Sequence, residues 1–214
     1  MAPKLEVNSE VGPLREVIVH RPGLELERLT PSNREDFLFD DVLWVKNARL
    51  EHDAFVDALR QHGVVVHLLE DLLTETVALA PAKKHILDTI LDDRVHGPDL
   101  VEPLRDLFEQ MDPASLVEHL IAGISKREVL EKMQGGSSMV LRSLGIDDFV
   151  LPPLPNHFFA RDASAWIYDG VTVNSMRKKA RKRETINYEA VYGLFTVERG
   201  VPVGGGSCGV GVSA

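Results

Sequence analysis

Three stretches of this chain combine residue types and spacings that could do chemistry. The richest is Pro155-Asn156-His157-Phe158-Phe159-Ala160-Arg161-Asp162. An aspartate preceded by two aromatic rings suits a planar cation. Its oxygens can accept two parallel N–H bonds from a guanidinium while a ring face contacts the plane. The plainer use is an Arg161–Asp162 ion pair at the start of a strand, and spacing alone favours it. The second stretch runs from Met176 to Thr185, with six of the seven residues from Arg177 to Arg183 basic. Such a run is usually a solvated face and can attract nucleic acid. A sharper use turns one arginine inward to fork a carboxylate. The third is Leu38-Phe39-Asp40-Asp41. Paired carboxylates can ligate metal or act as acid and base, or they can cap a helix starting near Val42, the commoner use. No set of His, Cys and acidic residues has metal-ligand spacing, so neither metal nor cofactor is expected.

The elements that must position these residues follow from periodicity. Arg15 to His20 is short and β-branched, and Arg21-Pro22-Gly23 closes it with a turn. Trp44, Ala48, Phe55, Ala58 and Leu59 recur at helical spacing, with Gly63 where a C-terminal cap belongs. Val64 to Leu69 reads as a buried strand, which completes an α/β unit. From 72 to 147 helical signals replace strand signals, predicting an inserted helical bundle of four or five short helices. Val101, Leu104, Phe108 and Met111 share one face; Asp112-Pro113 starts a helix carrying Leu116, Val117, Leu120 and Ile124. Ser125-Lys126-Arg127-Glu128 fits a capping box, and Gly135-Gly136-Ser137-Ser138 breaks that helix. Ala163 to Tyr168 and Val171 to Val173 read as a hairpin around Asp169-Gly170. The division expected is therefore an α/β module over 1–71, the helical insertion over 72–147, a partial α/β module over 148–196 and a Gly/Val-rich tail over 197–214. That tail buries little and is expected to be disordered.

Composition narrows the partners. The 24 basic and 33 acidic residues give a net charge of −9, which argues against a nucleic-acid binder. A single cysteine, Cys208, rules out an intrachain disulfide. No apolar run reaches the ~20 residues of a membrane helix, and the N-terminus lacks a signal peptide's apolar region. A cytoplasmic protein without membrane contact is expected. The oligomeric state stays open, a homo-oligomer included.

Taken together, the run from about Val7 to Tyr192 resembles arginine deiminase. The matching segments are Ser9 to Arg15 with His20-Arg21-Pro22-Gly23, Arg28 to Asn33, Leu38 to Asp41, Glu51-His52-Asp53, Leu72 to Thr76, Pro155 to Asp162, and Ala180-Arg181 with Arg183-Glu184-Thr185. The resemblance implies an α/β fold of propeller-like ββαβ modules, of the pentein type and incomplete here, with a helical insertion after the first module. It implies hydrolysis of L-arginine to citrulline and ammonia through a covalent cysteine intermediate. By motif position Asp162 would hold the guanidinium and Phe159 would pack on it. Asn156 and Arg181 would bind the α-carboxylate, and the backbone around Leu38 would meet the α-amino end.

The match fades after Tyr192, where a family member continues through a second acidic residue, a histidine and the nucleophilic cysteine. The chain is therefore expected to be an N-terminal half, cut short or frame-shifted, poorly soluble and inactive by itself. Cys208 follows Asp162 by 46 residues in a tail without packing signals, which leaves the nucleophile unassigned. The alternatives are a non-catalytic fragment that binds arginine or a partner, and another guanidine-modifying enzyme of the same fold, a dimethylarginine hydrolase or an amidinotransferase.

Overall fold

The computed structural model describes residues 5–133, 138–199 and 203–205. The first β-branched run forms β1 (Glu16–Val19), and β2 (Val65–Leu68) lies parallel to it, Glu16 opposite Val65 and Val19 opposite Leu68. Parallel neighbours need a long crossover. It is supplied by α1 (Leu24–Glu27) and α2 (Val45–Gln61). Gly63, at φ 78, turns the chain out of α2 as expected. The helix faces differently from its expected stripe, however. Val45 and Val56 are buried, while Trp44 and Phe55 are 73% and 54% exposed. A sheet of two short strands offers only a narrow surface, and Val45 is buried away from it, against Leu26, Leu29 and Phe37. On so narrow a sheet β2 is not a buried strand: Val65 is exposed.

The helical insertion holds more helices than expected. They are α3 (Leu69–Val77), α4 (Ala80–Ile90), α5 (Asp93–His96), α6 (Pro98–Gln110), α7 (Pro113–Ala122), α8 (Lys126–Lys132) and α9 (Met139–Ser143). Val101, Leu104 and Phe108 bury one face of α6. Asp112 caps α7 by accepting the Ser115 amide at 3.1 Å. The capping box of α8 is complete, with Ser125 and Glu128 each accepting the other's amide. Ile124 does not extend α7. Gly123, at φ 73, ends that helix, and Ile124 enters β3 (Ile124–Ser125), which pairs antiparallel with β4 (Phe149–Leu151). Of the expected helix breaker, Gly135, Gly136 and Ser137 lie outside the described residues, whereas Ser138 caps α9 through the Leu141 amide.

One 3-10 turn, Pro155–Phe158, leads into α10 (Ala160–Ala163) and the hairpin of β5 (Ser164–Ile167) and β6 (Gly170–Val173), and a second, Lys179–Arg181, carries Arg181. The pairing of Ile167 with Gly170 puts the corners at Tyr168 and Asp169, one residue earlier than the Asp-Gly signal. Tyr168 takes φ 52 to allow it. Then α11 (Glu184–Arg199) follows, and β7 (Val203–Gly205) runs parallel to β6. Of the Gly/Val-rich segment, residues 197–199 close α11 and 203–205 form β7. Residues 206–214, Cys208 among them, lie outside the described residues.

The result is a mixed α/β fold of three small sheets with no closed barrel among the described residues. One apolar core runs from Leu69 through Leu104, Phe108 and Leu120 to Tyr188 and Tyr192. A smaller one gathers Leu26, Leu29, Phe37 and Val45, with Phe39 and Phe149 against it.

Gly123 is the tightest backbone approach. A Cβ there would fall inside the Leu151 carbonyl oxygen and against Pro152, at a positive φ that side chains rarely adopt. Gly123→Ala is expected to destabilise the fold by at least about 2 kcal/mol, read as a lowered urea midpoint at unchanged slope.

Candidate functional site

Leu38, Asn156, Phe159, Asp162 and Arg181 come from three separate parts of the chain, and the fold brings them to one patch. The turn over residues 30–39 ends with Leu38 at φ 65, in the left-handed region. That conformation points the Phe37 carbonyl at Asn156, whose Nδ2 donates to it at 2.8 Å. Asn156 is 3% exposed, so this bond ties the 37–39 loop to the 3-10 turn from inside. Phe39 and Phe159 then meet with ring centroids 6.3 Å apart. Leu38 and Phe159 stay open, 43% and 47% exposed.

The expected Arg161–Asp162 pair does not form. Arg161 instead donates to Glu10 at 2.7 Å, and Asp162 accepts from Arg181, Nη1 to Oδ2 at 2.6 Å. Arg181 is the inward arginine of the basic run. Its side chain is only 11% exposed. Nε and Nη2 fork onto Glu184 at 3.1 and 2.8 Å, and Nη2 reaches the Asn156 carbonyl at 3.4 Å. Burial works against the Arg181 charge, but Glu184 and Asp162 together raise its pKa above the ordinary value. Glu184 is fully buried, and burial raises its carboxyl pKa despite the opposing pull of Arg181. Asn174 supports the loop beneath, donating from Nδ2 to the Asp162 carbonyl at 3.1 Å.

Asp40 and Asp41 take no part in capping a helix. The helix starts at Val45, and Asp41 instead accepts the Val42 amide at 2.7 Å and lies 3.7 Å from Arg34. Among the described residues no three His, Cys, Asp or Glu side chains gather as a metal-binding group.

A model of the family described as arginine deiminase matches residues 35–199. The chain belongs to the arginine deiminase family. The arginine deiminase match starts later than the motif-by-motif resemblance, at 35 rather than Val7, and runs on to Arg199. All five site positions fall inside it, as does Glu184. Sequence reasoning quoted Glu184 but gave it no role. Its signal was the spacing: a carboxylate three residues after an arginine, at the first turn of a helix, faces it.

A second polar group lies behind the patch. His20, 3% exposed, is held between two carboxylates, with Nε2 at 3.1 Å from Glu25 and Nδ1 at 3.1 Å from Glu70. Burial lowers its pKa, yet the bonds and charges of both glutamates outweigh this and raise it to about 9. The His157 ring stands edge-on at 5.8 Å. Burial first, then the charge of His20, pushes His157 well below the ordinary value, so it is neutral. Asn187 therefore donates to its Nε2 at 2.9 Å. Two clefts of about 370 and 320 Å³ meet at His20. Neither is lined by Asp162 or Arg181.

The raised pKa fixes a pH dependence. His20 stabilises the fold fully below its ordinary value of 6.5, and that contribution is lost as pH rises through about 9. The depressed His157 acts oppositely, withdrawing stability as pH falls below 6.5. Urea unfolding between pH 6.5 and 9.5 is expected to lose up to about 3 kcal/mol. The decline should vanish in His20→Gln, and an imidazole NMR titration should show His20 charged at pH 8.

Proposed function

We propose that this chain carries the ligand-holding side of an arginine deiminase site, whose reaction is the hydrolysis of L-arginine to L-citrulline and ammonia. The observation that carries the proposal is the convergence of Asp162, Arg181, Phe159, Asn156 and the Leu38 backbone on one patch inside the family match. Asp162 accepts the substrate guanidinium, and Phe159 covers its plane. Arg181 takes the α-carboxylate, and the left-handed turn at Leu38 presents backbone to the α-amino end. Asn156, expected beside Arg181 at the α-carboxylate, is instead buried with its Nδ2 on the Phe37 carbonyl, and in this reading acts by fixing that turn.

The family reaction needs a thiolate to attack the guanidinium carbon. Ammonia leaves a covalent amidino-cysteine, and water then releases citrulline. No thiol is found among the described residues; the only cysteine in the sequence is Cys208. A binding role without turnover is accordingly the second reading, and we place the chain by itself there. In architecture, β1, α2 and β2 would form one propeller-like module and β5, β6 and α11 part of another, with α3 to α9 inserted between them. No helix among the described residues is long and apolar enough to cross a membrane.

Calorimetry with L-arginine and a citrulline assay test both readings. Arginine binding weakened roughly tenfold or more by Asp162→Asn, with no citrulline formed, is the expected result. Unchanged affinity in Asp162→Asn would remove the proposed site. Citrulline formation that vanishes in Cys208→Ser would replace the binding reading with catalysis.

A further inference from the structure

Asp162 is not vacant. The carboxylate assigned above to the substrate's guanidinium already carries one, that of Arg181 at 2.6 Å. The two ends of this contact are held very differently. On one side Arg181 is forked by Glu184, a side chain with no exposure, through Nε and Nη2. On the other, a single Nη1 reaches Oδ2 of Asp162, whose side chain is 53% exposed. The buried fork is anchored and desolvated, whereas the outer bond stands in water, where a charged pair is weaker and exchanges readily. Glu184 has the further anchor of the first turn of α11, where the helix dipole favours a carboxylate.

We propose that Arg181 is an internal occupant of the guanidinium site, displaced when ligand binds. Resting on the arginine reading of this patch, the step is an exchange. A ligand guanidinium takes Oδ2 of Asp162, and Nη1 of Arg181 leaves it. Arg181 stays on Glu184, and its released Nη1 meets the ligand's carboxylate. No covalent bond changes and no proton moves. Glu184 is then a positioning residue, keeping the displaced guanidinium within reach.

The exchange makes the site selective for ligands bearing both charges. L-Arginine supplies a carboxylate to the released Nη1, so the ion pair broken at Asp162 is replaced. Agmatine and methylguanidinium carry the same cation without the carboxylate and leave Nη1 without a partner. They should bind the full chain about ten- to a hundredfold more weakly than arginine. Removing the occupant should reverse this order.

The test is calorimetric titration of the full chain, Arg181→Met and the double variant Arg181→Met/Glu184→Gln with methylguanidinium, agmatine and L-arginine. The double variant removes the Arg181–Glu184 pair as a unit, leaving neither of the two without the other, so it serves even if the single variant fails to fold. In the variant, methylguanidinium and agmatine should tighten by about tenfold while arginine weakens. Adding Asp162→Asn should abolish the gain. A folded double variant that binds methylguanidinium no better than the parent overturns the exchange, as does a gain that survives Asp162→Asn. If the parent ignores arginine while the double variant gains methylguanidinium, the exchange stands and the arginine reading falls.

Discussion

Burial of one face of α11 is the constraint that joins the site to the fold. Glu184, Asn187, Tyr188, Val191 and Tyr192 are spaced at three and four residues and are all at most 2% exposed. Each reaches a different part of the molecule. Glu184 holds Arg181, and Asn187 holds His157 of the 3-10 turn. Tyr188 stands edge-on to His157 while entering the main core, and Tyr192 meets the Ser164 hydroxyl at 2.9 Å in β5. Buried polar groups of this kind need their partners in place. The helix cannot shift without disturbing the Arg181 fork, the histidine behind it and the hairpin together.

A second regularity is electrostatic. His20 sits between Glu25 and Glu70, and Arg181 between Asp162 and Glu184. In each group one cation is shared by two carboxylates. Further cations stand near both groups, Arg21 beside Glu70 and Arg183 beside Glu184. The groups differ in access. His20 is closed off, with its protonation set by its neighbours, whereas Asp162 faces water. The same pattern thus stabilises at one place and remains open to exchange at the other.

Much of this was legible in the sequence, for reasons that can be named. The β1–α2–β2 unit, the α8 capping box, the Asp112 cap and the hairpin all rest on local signals that tertiary packing left in place. The family resemblance joined 38, 156, 159, 162 and 181, and the contacts of these residues and their neighbours Phe37 and Phe39 bring them together. What the sequence hid depends on which neighbours happen to be present. At its start α2 buries Val45 against Leu26, Leu29 and Phe37, while Trp44 and Phe55 face outward despite good helical spacing. Ile124 leaves its helix because Gly123 can take a positive φ beside Leu151. Arg161 and Asp162, adjacent in sequence, pair with Glu10 and Arg181, more than a hundred residues and nineteen residues away. His20 read only as the end of the first strand, since neither glutamate that holds it is next to it in sequence.

The two tryptophans sit in sharply different surroundings. Trp44 stands 73% exposed just before α2, beyond the turn that carries Leu38. Trp166, in β5, is half-buried with its ring edge-on to Tyr192 at 5.8 Å. Their emission should therefore separate by colour and by access to dissolved quenchers. Trp44 would glow red-shifted and be quenched readily, while Trp166 would be shielded and fed by excitation transfer from the stacked pair Tyr188 and Tyr192. The chain thus has two built-in optical probes, one reporting the exposed approach to α2 and the other the seam where the hairpin meets α11.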